Sequence, residues 1–325
     1  MLEIATNLRE AVAKPISVGD QIAEVDASIG VAFGVGRDDA EALLRDADQA
    51  MYHAKDRGRA RYAVFDSDLR GRIERRLDTE LGLRAAVERG EIETWYQPIV
   101  DLQEPAVVAN EALARWRRPG IGIVMPDTFI SIADETGMIK DIGAAVLTQA
   151  CLAAAAMPDG LAVSVNVSAR QFVRHDFGAV VERALSLSQL PPDRLWLELT
   201  EGNIVEAIDS AARTFQELRE QGVRVAIDDF GTGFSSFEHL RTFKVDMLKI
   251  DMTFVRDVGR SDHDRAIVEG ILRLADSLHL DVVAEGIETA LQRDLLRGLG
   301  CRFGQGYLFG RPLPISESLT DSAGR

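Results

Sequence analysis

From Glu93 to about Pro314, short apolar runs alternate with stretches of helical period. Strands are predicted near 94–101, 106–116, 161–167, 194–200, 223–228, 245–250, 281–285 and 301–307, with helices between most of them. Eight strands alternating with helices over about 230 residues match a (β/α)8 barrel in count and length. The first 66 residues predict fewer elements: a helix over Leu2–Ala13, a strand over Val25–Phe33, a helix over Asp39–Asp56 and a short strand over Tyr62–Phe65. Ala47, Ala50, Met51 and Ala54 supply the apolar stripe of the second helix. So small a set buries proportionally little surface, and 1–66 reads as part of an α+β domain. Residues 67–90 predict a highly charged connector helix with Ile73, Leu77 and Leu81 on one stripe, and the barrel domain is assigned to 91–315. The tail, 316–325, is polar and expected to fray.

Strand side chains alternate faces, so each strand divides by parity. In LAVSVNVS, Leu161, Val163, Val165 and Val167 form an apolar row opposite Ala162, Ser164, Asn166 and Ser168. In LWLELTE, Leu195, Leu197 and Leu199 oppose Trp196, Glu198 and Thr200; in VRVAIDDF, Val223, Val225 and Ile227 oppose Arg224, Ala226 and Asp228. The apolar rows can pack under helices, which leaves the other rows to point into the barrel, where polar groups need partners. Asn166, Glu198, Asp228, Lys249 and Glu285 then sit near the C-terminal strand ends with Glu111, at the mouth where barrel enzymes place their chemistry. Asp229 is out of phase with Asp228 and reaches the mouth only if the strand ends there, as Gly231 and Gly233 suggest.

Charge turns that geometry into a chemical expectation. Two like charges about 4 Å apart repel by roughly 4 kcal/mol at an effective dielectric near 20. Five carboxylates at one mouth therefore require protons or divalent cations, and one lysine does not offset them. An all-oxygen donor set favours Mg²⁺ or Mn²⁺ over zinc. A single acid of this kind is more often a solvated loop carboxylate or a helix cap, but six polar residues on six strand ends are not. Asp228-Asp229-Phe230-Gly231 lacks calcium-loop spacing, and Gly231-x-Gly233 lacks the rest of a dinucleotide or P-loop motif.

Composition narrows the field. The 325 residues carry 37 Lys and Arg against 52 Asp and Glu, a net charge of −15, which excludes a nonspecific binder of duplex nucleic acid. Aromatics are 6% of the chain, so aliphatic and alanine packing supplies most of the core. Cys151 and Cys301 lie far apart and suit a reducing compartment. The most apolar stretch, Ile142 to Met157, is mostly alanine and is read as too short and weakly hydrophobic for a membrane span, so a cytoplasmic location is expected.

The run Glu111-Ala112-Leu113-Ala114-Arg115 and its surroundings resemble the EAL-domain family of cyclic di-GMP phosphodiesterases. The likeness extends from about Leu77 to Pro314 through Tyr96-Gln97-Pro98-Ile99, Asn166-Val167-Ser168, Glu198-Leu199-Thr200-Glu201, Asp228 to Phe237, Lys249-Ile250-Asp251, Ala284 to Glu288 and Gly304-Gln305-Gly306-Tyr307. It implies a modified β/α barrel with one strand antiparallel to the rest, two Mg²⁺ or Mn²⁺ ions, and hydrolysis of cyclic di-GMP to linear 5′-pGpG. By the same resemblance, Glu111, Asn166, Glu198 and Asp228 would hold one metal, and Asp228 would bridge to a second held with Asp229 and Glu285. Arg115 would contact a phosphate, with Gln97 and Leu113 lining the substrate groove. Lys249 would hydrogen-bond the attacking water, Glu288 would support Lys249, and Gln305 would help order water at the metals. Glu201 would pin the loop after Asp229 and couple the site to a homodimer surface near Asp229–Phe237. Ala114 and Phe234 depart from common family residues, but no ligand position is lost. A noncatalytic effector that binds cyclic di-GMP is the rival reading.

The first 66 residues resemble the C-terminal half of a GGDEF domain through Ser28-Ile29-Gly30-Val31, Ala47 to Tyr52, Ala54-Lys55 and Gly58-Arg59. No Gly-Gly pair occurs in the chain, so the signature loop is missing and cyclase activity is not expected. Such a remnant is expected to leave apolar surface exposed.

Overall fold

The computed structural model describes residues 2–18, 21–34, 39–56, 58–157, 160–172, 176–200, 213–214, 216–232 and 245–317. The chain divides into two compact units, Met1–Leu81 and Gly82–Arg325, with the cut inside a helix that runs Ser67–Arg89.

The first unit is a small α/β fragment. Helix Leu2–Val12 is followed by a hairpin of β1 (Ile16–Val18) and β2 (Gln21–Ala23), which sequence parity does not reveal. Then β3 (Ile29–Ala32), helix Ala40–Asp56 and β4 (Tyr62–Phe65) form a parallel β-α-β unit. The helix lies close on β3: a Cβ added at Gly30 would stand 1.8 Å from the Ala47 carbonyl oxygen. Among the described residues, Ala50, Phe65 and Leu69 form one small core cluster with a few half-buried neighbours and Ala5 and Ala54 are also buried, while Ile4, Leu8, Val18 and Ile22 are exposed. The expected uncovered apolar surface is present.

The second unit is a closed eight-stranded barrel. Its strands are β5 (Ile92–Asp101), β6 (Ala106–Arg118), β8 (Ala162–Asn166), β9 (Leu195–Thr200), β10 (Arg224–Phe230), β11 (Met247–Ile250), β12 (Asp281–Ala284) and β13 (Phe303–Gln305), in that order around the ring. All neighbours are parallel except β5, which runs antiparallel to both β6 and β13. Short strands β7 (Gly122–Val124) and β14 (Leu313–Pro314) flank the ring on β6 and β5.

The barrel wall follows the parity rule. Val163, Val165, Leu195, Leu197, Leu199, Val225, Ile227 and Leu248 are buried in one cluster with helix residues such as Ile142, Val146, Val181 and Val268. Helix Ile139–Ala156 is longer than the apolar stretch read from the sequence, and its 18 residues are long and apolar enough to cross a bilayer, but Ile142, Val146, Ala150 and Ala154 are buried in that cluster.

 The interior row is apolar at its base, where Ile99, Ala109, Ala162, Trp196, Ala226, Met247, Val283 and Phe303 form a separate floor. The Trp196 and Phe303 rings stand 6.5 Å apart, and each such ring buries roughly 150–250 Å², worth about 4–6 kcal/mol. Above that floor, towards the C-terminal ends of the parallel strands, the interior turns polar.

Candidate active site

Lys249 stands at the centre of the polar layer. Its ammonium is 2.5 Å from Glu285 Oε1, 2.7 Å from Glu198 Oε2, 3.5 Å from Asp228 Oδ1 and 4.0 Å from Glu111 Oε2. The side chain is 1% exposed, so it cannot reach bulk water. Burial opposes its charge, but Asp228, Glu111, Glu198 and Glu285 together outweigh it and raise the pKa well above that of a free lysine. Lys249 therefore stays protonated.

The carboxyls share the opposite problem. Burial pushes Glu285 up to about 8, with Asp228 and Glu111 adding to the shift and Lys249 opposing it. Glu198, 1% exposed, is also raised well above the usual carboxylate range, first by burial and then by Glu111 and Asp228 against the pull of Lys249. Asp229 rises to about 6 through burial and the charges of Asp228 and Asp251. Without further cations, the cluster retains protons near neutral pH.

Hydrogen bonds fix the ring of donors. Asn166 Nδ2 donates to Glu111 Oε1 at 2.6 Å, and Gln305 Nε2 donates to Glu111 Oε2 at 2.5 Å. Gln305 Nε2 also reaches Gln97 Oε1 at 3.1 Å, and Gln97 Nε2 donates to the Gly310 carbonyl at 3.1 Å. Ser164 Oγ donates to Glu198 Oε1 at 2.5 Å. Gln305 is held in place by the backbone around it: Ile287 N–H donates to the Gln305 carbonyl, and Leu308 N–H donates to the Ile287 carbonyl, both at 3.0 Å. A Cβ at Gly306 would lie 2.2 Å from the Ile287 oxygen, so glycine permits this approach.

Asp229 reaches the mouth by a different route from the predicted one. Strand β10 does not end at Asp228 but continues to Phe230, with a register shift against β11 between Ile227 and Phe230. Asp229 itself has φ 55°, a left-handed conformation that aspartate tolerates better than most residues. This irregularity breaks the alternation and brings Asp228 and Asp229 together with Glu285, each offering an oxygen within 4.8 Å of the others.

Most of the predicted site residues converge here, with two differences. Glu288 is exposed, whereas Lys249 is buried among Glu111, Glu198, Asp228 and Glu285. Its backbone N–H donates to Gln292 Oε1 beside the cap of helix Ala290–Gly298, so the expected support of Lys249 by Glu288 is replaced by these four carboxylates. Glu201 and residues 233–237 of the expected Asp229–Phe237 dimer loop lie outside the described residues. Leu113 is half-buried on β6, two residues before Arg115. Sequence reasoning overlooked Ser164 and Asp251 as site-associated groups. Ser164 was visible by its parity with Asn166; Asp251 caps helix Met252–Arg256 by accepting from Thr253 N–H, which its position after the β11 lysine does not disclose.

Arg115 is 4% exposed and its guanidinium lies 5.4 Å from the centre of the Trp95 ring. Burial lowers its pKa while Glu111 opposes the shift. Nη1 donates to the Ala114 carbonyl, but buried Nε has no hydrogen-bond partner among the described residues. An unpaired buried donor on a cation is a ready contact for an anion.

The donor set also fits hard cations. Its available groups are carboxylate and carboxamide oxygens, as magnesium and manganese prefer. Asp228, Asp229 and Glu285 form one compact set. Glu111, Asn166 and Glu198 stand beside Asp228 but are engaged by hydrogen bonds and by Lys249. Buried Gln305 Oε1 has no hydrogen-bond partner among the described residues.

The second unit is thus an α/β barrel whose acidic mouth encloses the buried Lys249. The EAL domain model matches residues 81–312, and the chain belongs to that family. The model of the diguanylate cyclase GGDEF domain matches residues 1–61. The bifunctional diguanylate cyclase/cyclic di-GMP phosphodiesterase MucR of Pseudomonas aeruginosa is 36% identical over 98% of this chain and 47% of its own length. The cyclic di-GMP phosphodiesterase NbdA of the same organism is 37% identical over 96% of this chain and 41% of its own length. The chain thus spans less than half of either relative. The solved PaMucR phosphodiesterase in complex with c-di-GMP superposes with a TM-score of 0.71 at 36% identity, covering 74% of this chain and all of that one.

Proposed function

We propose that the barrel is a metal-dependent phosphodiesterase that hydrolyses cyclic di-GMP to linear 5′-pGpG. The observation that carries this reading is the mouth itself: an oxygen-rich acidic cluster beside a buried arginine with an unpaired donor. The likeness to MucR and NbdA supports cyclic di-GMP as the substrate.

In the proposed reaction a water oxygen bonds to phosphorus, the bond from phosphorus to the 3′-oxygen breaks, and that oxygen takes a proton. Divalent cations held by Glu111, Asn166, Glu198 and Asp228, and by Asp228, Asp229 and Glu285, would supply Lewis acidity and neutralise developing charge. Arg115 orients a phosphate through its guanidinium, while Gln97 and Leu113 shape the groove. Lys249, already protonated, serves as a hydrogen-bond donor and fixed positive charge rather than as a proton acceptor. Gln305 holds Glu111 and aligns its free carbonyl with the same site. The 1–66 segment contributes no cyclase chemistry.

Incubation with cyclic di-GMP and Mg²⁺ or Mn²⁺, followed by nucleotide separation, tests the proposal. Accumulation of 5′-pGpG is expected. Tight binding without linear product over hours would overturn it in favour of an effector.

A further inference from the structure

We propose that Ser164 is a positioning residue that sets the Glu198 carboxylate for metal binding. This inference rests on the metal-dependent reading above and extends it to a residue below the rim.

Ser164 lies in the inward row of β8, opposite Glu111 on β6 and Trp196 on β9. It is fully buried, and its hydroxyl donates to Glu198 Oε1 at 2.5 Å. The other oxygen of that carboxylate accepts from Lys249 at 2.7 Å. Glu198 is thus gripped at both oxygens, by a neutral donor from one strand and a cation from another. Neither grip alone fixes the carboxylate plane, because rotation about its last bond exchanges the two oxygens.

The level at which Ser164 sits explains why a hydroxyl matters there. Immediately below, the interior consists of Ala162, Trp196, Ala226, Met247, Val283 and Phe303, which offer Glu198 no side-chain donor except from the Trp196 ring. With alanine at 164, Oε1 would lose its neutral donor in a site that excludes water. The carboxylate would then turn towards Lys249, its remaining side-chain donor, and away from the orientation that presents an oxygen to a cation. Groups that orient metal-binding side chains commonly change metal affinity by about 10- to 100-fold when removed.

The test compares metal-free full-length wild type, Ser164→Ala, Ser164→Cys and Ser188→Ala by Mn²⁺ calorimetry, with circular dichroism to verify folding. Ser188 is another buried serine, whose hydroxyl donates to the Ala184 and Leu185 carbonyls away from the mouth, so its variant controls for loss of a buried hydroxyl. Ser164→Ala is expected to weaken Mn²⁺ binding about 10- to 100-fold. Ser164→Cys, which retains similar volume and a weak donor, should fall between it and wild type, and Ser188→Ala should match wild type. Wild-type Mn²⁺ affinity in both Ser164 variants would overturn the positioning role while leaving the phosphodiesterase reading intact. Failure of wild type itself to bind Mn²⁺ would overturn both. If Ser164→Ala does not fold, the Cys variant decides: affinity equal to wild type refutes the role, and weakened affinity with native circular dichroism supports it.

Discussion

Replacing Lys249 by methionine would keep most of the side chain's length and remove the one cation within 4.0 Å of Glu111, Glu198, Asp228 and Glu285 among the described residues. Breaking a buried ion pair by deleting one partner destabilises a protein by about 3–5 kcal/mol when the remaining charge stays ionised. Here the acids can avoid part of that loss by binding protons, which makes the effect depend on pH. Glu285 is raised from 4.5 to about 8, so the folded protein binds more protons than the unfolded chain across that window. Its contribution is present below the lower value and is lost as pH rises towards the upper one. Lys249→Met raises the folded pKa further and steepens that loss. For a barrel of this size, about 3–5 kcal/mol corresponds to a Tm lower by about 6–20 °C. Thermal unfolding in EDTA should show this full shift near pH 8.5 and a smaller one near pH 6. Saturation with Mn²⁺ at about 100 times Kd should return about 2.7 kcal/mol. A metal-free Tm within about 2 °C of wild type near pH 8.5 would refute the idea that Lys249 neutralises this cluster.

Glu111→Ala should abolish turnover and weaken Mn²⁺ binding, since it removes a donor and releases the Asn166 and Gln305 amides; wild-type turnover in a nucleotide assay would contradict this. Arg115→Ala should raise KM for cyclic di-GMP about 10- to 100-fold through loss of a charge-assisted phosphate contact, and unchanged KM would exclude that contact. Mn²⁺ affinity should increase between about pH 6 and pH 8.5, with proton release in calorimetry, because Asp229 near 6 and Glu285 near 8 must lose protons to bind metal. Dimerisation near the 229–237 loop predicts twice the monomer mass by light scattering; a monomer throughout the working concentration range would contradict it.

The barrel was legible because its two periodicities agree: apolar outer rows every second residue, separated by helices. That pattern placed Glu198, Asp228 and Lys249 inside before their contacts were known. Asp229 was harder, since parity alone sends it outward and the left-handed backbone that rescues it is not encoded in hydrophobic pattern. Ser164 was assigned to the right face but resembled ordinary small-residue packing, because a hydroxyl's significance depends on the strand opposite. Glu288 was drawn into the site by the family resemblance alone, yet three residues beyond Glu285 it is exposed. The hairpin of Ile16–Val18 with Gln21–Ala23 escaped because its strands have no buried face to impose alternation.

The reversed direction of β5 has a mechanical consequence. In an all-parallel barrel the chain would enter at the floor, far from the chemistry, but here Ile92 pairs with Trp116 and Asp101 with Ala106, so entry is at the mouth. Glu91 ties this entry point down twice: its carbonyl accepts from Arg117 N–H at 2.8 Å, and its carboxylate accepts from the Trp116 indole at 3.1 Å. Both anchors follow Arg115 directly along β6. Torque or tension arriving through residues 89–91 would therefore be felt beside Arg115 without crossing the body of the barrel.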